Sequence, residues 1–207
     1  MPATSNRLYN GVDTEERVAQ RRERLLQTGL DILGNPQGDA DLTLRTICQH
    51  AQLAQRYFYE SFVDKDAFAA AVYDWALAHV ITETQDALAS ATLRDGTRIG
   101  VARMVATIGD DRRIGELLFG RHQVNAVIVA KRFESTATFV SLFSSRLRRD
   151  FEPDAGGRAP LISHFVVGGV AQAIAAWLNG DVVITQEELI DRLVEMLAVQ
   201  GVGRRAR

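Results

Sequence analysis

The chain has 207 residues, of which 46% are hydrophobic and 24% charged, with a formal net charge of -2. This composition excludes a disordered chain and supports a sizeable core. The charge excludes recognition by bulk basicity, so any nucleic-acid surface must rest on where individual cations stand.

Few prolines and many good helix formers predict an all-α chain of about nine helices. The first runs from about Thr14 to Leu33, capped by Asp13 with Glu16 three residues on. Val18, Leu25, Leu26, Leu30 and Leu33 form its apolar stripe, and Gly34-Asn35-Pro36 stops it. A loop, Gln37 to Leu42, follows. Thr43 caps a short second helix from Leu44 to about His50. A break around Gln52 leads to a third helix, Gln55 to Ser61, and Asp64 caps a fourth, Lys65 to about Ala89. Further breaks predict helices near 97–108, 112–119, 121–150 (with a possible break near Ala130), 159–178 and 186–199. Residues 201–207 read as a short basic tail.

Met1 to Val12 lacks the apolar core of a signal peptide. The most apolar run, Phe165 to Leu178, contains Gln172 and reads as too short to span a bilayer. A cytoplasmic location is the expectation. The lone Cys48 excludes an intramolecular disulfide and an all-Cys metal site.

The segment Thr43–Phe68 reads TLRTICQHAQLAQRYFYESFVDKDAF. Two short helices joined by a tight turn, with apolar inner faces and polar outer ones, meet the demands of a helix-turn-helix. Leu44, Ile47, Cys48, Ala51, Leu53, Phe58 and Phe62 fall on the inner side. Thr43, Arg45, Gln55, Arg56, Tyr57 and Tyr59 fall on the outer side. Up to Asp66, acidic residues outnumber basic ones, so placement carries this reading and charge does not.

With Thr43, Ile47, Leu53, Tyr59, Phe62 and Lys65 in register, the segment resembles the tetracycline-repressor (TetR) family of bacterial regulators. A closing AAWLNGD…EELIDRLVEML segment is also similar. The resemblance implies a helix-turn-helix DNA-binding domain over 1–66 and a helical ligand-binding and dimerisation domain over 67–207. It implies a ligand-responsive homodimeric repressor on a palindromic operator. Thr43 and Arg45 would then meet phosphate or the groove edge, Gln55, Arg56 and Tyr57 would face bases, and Tyr59 and Lys65 would clamp phosphates. The sequence departs from the family at the turn: Gln52 stands where glycine is common, Ala54 where Ser or Thr caps, and Arg56 where a small residue is usual.

The middle helices of that family enclose an effector pocket, which makes Trp75, His79, His122, Asn125, Phe139 and His164 the pocket candidates here. The small residues of helix 159–178 and the stripe Leu189, Ile190, Leu193, Val194 and Leu197 fit either a four-helix dimer interface or the core of the chain itself. Arg17, Arg21, Arg22 and Arg24 read as a solvated face. The four histidines are not at metal-binding spacing, and no cofactor or enzyme motif is present, so no metal, cofactor or catalytic residue is expected. Glu60, Asp64 and Asp66 beside the motif motivate a rival reading, a helical protein-interaction module without DNA binding.

Overall fold

The computed structural model describes residues 5–35, 42–89, 91, 95–150 and 158–199. Among these residues stand nine α-helices and no strand, as the sequence predicts. They are α1 (Ser5–Leu33), α2 (Leu44–Ala51), α3 (Gln55–Tyr59), α4 (Lys65–Ala89), α5 (Gly96–Asp110), α6 (Arg112–Phe119), α7 (Ala126–Asp150), α8 (Arg158–Leu178) and α9 (Gln186–Val199).

Three boundaries differ from expectation. No proline interrupts the chain between Pro2 and Pro36, so α1 extends back to Ser5 and Asp13 lies inside it rather than at its cap position. α3 ends at Tyr59, two residues short of Ser61. α7 starts at Ala126, not 121, and runs unbroken past Ala130. Its start is set by Asn125, whose Oδ1 accepts from the N–H groups of Val127 and Ile128. The stop at Pro36, most of the loop after it, the loop around Pro153 and the tail 201–207 lie outside the described residues.

The stripe of α1 buries Leu25, Leu26 and Leu30 completely or nearly so. They face α4, whose Phe68, Ala69, Val72, Tyr73, Ala76 and Val80 are buried. The two helices cross closely at Gly29, where a Cβ would stand 2.3 Å from Val72 Cγ2 and 2.7 Å from Phe68 Cζ. α4 therefore belongs both to the N-terminal helices and to the body behind them, where it packs along α5. α5 supplies Val101, Val105 and Ile108 to the same core, and α9 lies against it.

The apolar stripe of α9 is spent inside the chain: Leu189, Ile190, Leu193 and Leu197 are all buried in this core. Of the two uses open to that stripe, core packing is the one observed. A reciprocal capping box starts the helix. Glu188 Oε2 accepts from the Thr185 N–H at 2.8 Å, and Thr185 Oγ1 accepts from the Glu188 N–H at 3.2 Å.

α7 and α8 pair lengthwise, and α8 also touches α6. The apolar part of α8 is longer than the sequence reading allowed. Pro160–Leu178, 19 residues, is long and apolar enough to cross a membrane by length and composition. Ser163, Val166 and Ile174 turn one side of it inward. Its other side presents Leu161, Phe165, Gly168 and Gly169 to the exterior.

Candidate nucleic-acid interface

The cap of α2 forms as expected. Thr43 has an extended backbone, and its Oγ1 accepts from the Thr46 N–H at 3.1 Å. Ile47, Cys48 and Ala51 turn inward, and burial pushes the Cys48 thiol pKa up, as for an inert core residue. The helix ends at Gln52, which takes the left-handed conformation (φ 53, ψ 41) without being glycine. Arg24 of α1 holds it there, donating from Nη2 to Gln52 Oε1 at 2.9 Å. Ala54 gives α3 no side-chain cap, as its methyl group dictates.

A five-residue helix with no cap cannot stand on its own propensity. Tertiary packing holds α3 through Phe58, which is buried among Phe62 and Phe68 with ring centroids 5.5 Å from each. Phe62 and Phe68 complete the triangle at 5.1 Å. These tilted and edge contacts add to simple burial. Because Phe58 points inward, the opposite side of α3 must face out. Gln55, Arg56 and Tyr59 are exposed, Tyr59 at 59%. Thr43, Arg45 and Lys65 are exposed as well.

Tyr57 is part-buried rather than fully outward. Its ring lies 4.6 Å from the guanidinium carbons of both Arg21 and Arg56, and Arg56 Nη2 donates to its hydroxyl at 2.7 Å. The α1 arginines are thus more than a solvated face: Arg21 meets α3, Arg24 meets the turn, and Arg22 lies over the Phe62 ring. Sequence reasoning missed this because the partners lie far apart in the chain.

The acidic residues that counted against a DNA surface are internally engaged. Glu60 accepts from Arg21 at 2.8 Å. Asp64 caps α4, taking the N–H groups of Asp66 and Ala67 at 3.0 and 2.7 Å. Asp66 pairs with Lys65 at 2.9 Å, a solvent-exposed pair that holds Lys65 only weakly. Arg45 and Arg56 remain on the outer face as cations.

The six pocket candidates stand in different surroundings. His122 lines an open polar cleft of about 300 Å³ with Arg112, Glu116, Arg121 and Asn179. Asn125 is occupied by its capping role. Trp75 packs partly buried against the core, Phe139 is half-buried, and His79 and His164 are exposed. Among the described residues, no group of His, Cys, Asp and Glu is arranged to hold a metal.

Between α4, α6 and α7 lies a polar arrangement that sequence reasoning did not find. Arg132 of α7 is half-buried and donates to the carbonyls of Glu116, Leu117 and Gly120 at the end of α6. Burial lowers its pKa from the ordinary arginine value. Nearby, the Tyr73 and Ser135 hydroxyls share a hydrogen bond of 2.7 Å, and burial raises the Tyr73 pKa.

No protein-family model and no curated protein matches the chain. Solved structures do. A putative TetR-family transcriptional regulator from Syntrophomonas wolfei superposes with a TM-score of 0.70 at 15% identity, covering 89% of this chain and 96% of that one. The chain has the TetR-regulator fold. The fatty acid degradation regulator FadR from Bacillus halodurans superposes with a TM-score of 0.67 at 14% identity, covering 90% and 97%. AibR, solved in complex with isovaleryl coenzyme A and operator DNA, gives 0.57 at 14% identity, covering 85% and 97%. Near-complete coverage of these neighbours means that the TetR-like fold accounts for the helix-turn-helix and the body together.

Proposed function

We propose that the chain is a homodimeric transcriptional regulator that represses from a palindromic operator and is released by a small-molecule effector. The observation that carries this reading is the outer face of α3. Gln55, Arg56 and Tyr59 stand out from a helix anchored by Phe58, while the neighbouring carboxylates are engaged elsewhere. Arg56 and Gln55 have the donors for guanine and adenine edges, and Thr43, Arg45, Tyr59 and Lys65 flank them as phosphate contacts.

The dimer reading draws on α8. Only 17% of its most apolar window is buried within the chain, and Leu161 and Phe165 are 72% and 66% exposed. A Cβ added at Gly168 or Gly169 would meet nothing within 4 Å, so this strip has room for a second helix to approach closely. A copy related by a two-fold axis covers it and sets two α3 helices roughly 34–36 Å apart, one turn of DNA. Phe165→Glu is expected to leave a folded monomer in sedimentation experiments.

The effector must bind the two conformations unequally; a ~100-fold difference corresponds to ~2.7 kcal/mol. The neighbour holding isovaleryl coenzyme A makes acyl-CoA thioesters the first class to screen. No enzymatic activity is proposed.

The deciding experiment is a selection from a randomised duplex library, followed by titration of the selected duplex over a range of salt. Phosphate contacts predict an affinity that falls steeply with salt. Replacing Arg56 and Tyr59 together with alanine should abolish binding while the protein stays folded. Retained binding would reject the interface, and failure to select any duplex would favour a helical protein-interaction module.

A further inference from the structure

We infer that Arg21 of α1, outside the helix-turn-helix, is a specificity-determining residue that fixes the base-reading orientation of Tyr57; the inference rests on the DNA-binding reading above. Three contacts converge on Arg21. Its guanidinium carbon lies 4.6 Å from the Tyr57 ring centroid. Its Nε and Nη2 both donate to Glu60 Oε2, at 3.2 and 2.8 Å. Its side chain is only 22% exposed, so the arm is held between α1 and α3 rather than waving in solvent.

A tyrosine on the outer face of a short helix ordinarily samples more than one rotamer, and a reader that moves discriminates poorly. Here the Tyr57 ring is engaged by two guanidinium groups and its hydroxyl by Arg56. The planar guanidinium suits both jobs at once, stacking on a ring while forking onto a carboxylate. Lysine matches the charge of Arg21 and not its plane. Glu60 gains as well, because Arg21 neutralises a carboxylate that would otherwise repel phosphate.

Arg21 therefore acts on sequence preference through Tyr57 and is a positioning residue. That role separates it from a plain phosphate contact. A phosphate contact weakens every duplex alike and lowers the salt slope by about one. A positioning role relaxes preference at the base pairs that Tyr57 reads and leaves binding to scrambled DNA nearly unchanged.

The experiment uses the full chain and two duplexes, the one selected by the unaltered protein and a scrambled one. Arg21→Ala, Arg21→Lys, Tyr57→Ala and the Arg21→Ala/Tyr57→Ala pair are compared, each checked for an unaltered thermal midpoint. The ratio of affinities for selected over scrambled DNA should fall about tenfold in both alanine variants. The double variant should fall no further than Tyr57→Ala alone. Arg21→Lys should keep overall affinity and still lose most of the ratio. An unchanged ratio, an equal loss on both duplexes with a lower salt slope, or additive losses in the double variant would each overturn the inference while leaving DNA binding intact. If the unaltered protein shows no duplex preference at all, the DNA-binding reading fails and takes this inference with it.

Discussion

Arg113, in the first turn of α6, donates one Nη to Asp31 of α1 at 2.5 Å and the other to Asp111 at 2.6 Å. It thereby joins the N-terminal helices to the body. Beside it a Cβ added at Gly34 would strike the Arg113 carbonyl oxygen at 2.4 Å, and Gln123 donates to the Leu33 carbonyl at 3.0 Å. α1 and α6 thus meet through backbone as well as through charge, and a shift of α6 is felt at the end of α1.

Asp111 gives this junction a pH dependence. It caps α6, taking the Arg113 N–H at 3.0 Å. Its hydrogen bonds to the Arg113 side chain, chiefly, hold its carboxyl below the ordinary aspartate value of 3.8. A carboxylate depressed on folding contributes stability that is full above its unfolded pKa and is lost as pH falls through the folded one. Asp111→Ala is therefore expected to cost ~1 kcal/mol at neutral pH, mainly through the lost cap. The gap to the unaltered protein should narrow as pH falls below the ordinary aspartate value of 3.8 and its aspartate protonates. Urea midpoints measured across that range give the answer; a gap that widens on acidification would contradict the assignment.

Gln52 offers a test of local strain. A non-glycine residue in the left-handed region costs ~1 kcal/mol or more, and the Arg24 hydrogen bond offsets part of it in an exposed setting. Gln52→Gly relieves the strain, loses the clasp and loosens the unfolded chain. The expected net effect is a gain of ~0.5 kcal/mol in urea unfolding, within the usual span of glycine effects at such sites. A loss of ~1 kcal/mol or more would mean that the Arg24 clasp outweighs the backbone strain.

That residue also marks what the sequence could tell. The strained turn at Gln52, the missing cap at Ala54, the Thr43 and Asp64 caps and the inward Phe58 and Phe62 were all legible, because each follows from a few adjacent residues. The Arg24 clasp and the Arg21–Glu60 pair were not, since they link residues 28 and 39 positions apart. Helical phase was clear for α9, but its destination was open: Leu189 and Leu193 make the same stripe whether it meets α5 or a second chain. The start of α7 was misplaced because the sequence from Arg121 to Asn125 contains no proline, and only the Asn125 cap ends the ambiguity.

Arg132 carries the last prediction. The last carbonyls of a helix lack a full set of helical partners, and this one side chain donates to three at the end of α6: Nε and Nη2 to Leu117 at 3.0 and 2.8 Å, Nη2 to Glu116 at 2.8 Å, and Nη1 to Gly120 at 2.7 Å; the Glu116 carbonyl also takes the Gly120 N–H at 2.8 Å. The cation also opposes the negative end of the helix dipole. Its pKa is lowered by burial, yet a guanidinium stays protonated and the contacts persist at any working pH. Arg132→Met keeps most of the volume and removes every donor, so about 2–3 kcal/mol of stability should be lost. Arg132→Lys should recover less than half, because one ammonium cannot reproduce a planar fork spread over three carbonyls. Amide exchange localises the effect. α6 should lose protection first, and the end of α1 next, through Arg113 and Asp31. A methionine variant within ~0.5 kcal/mol of the unaltered protein, the range of an ordinary surface change, would show that water satisfies those carbonyls equally well.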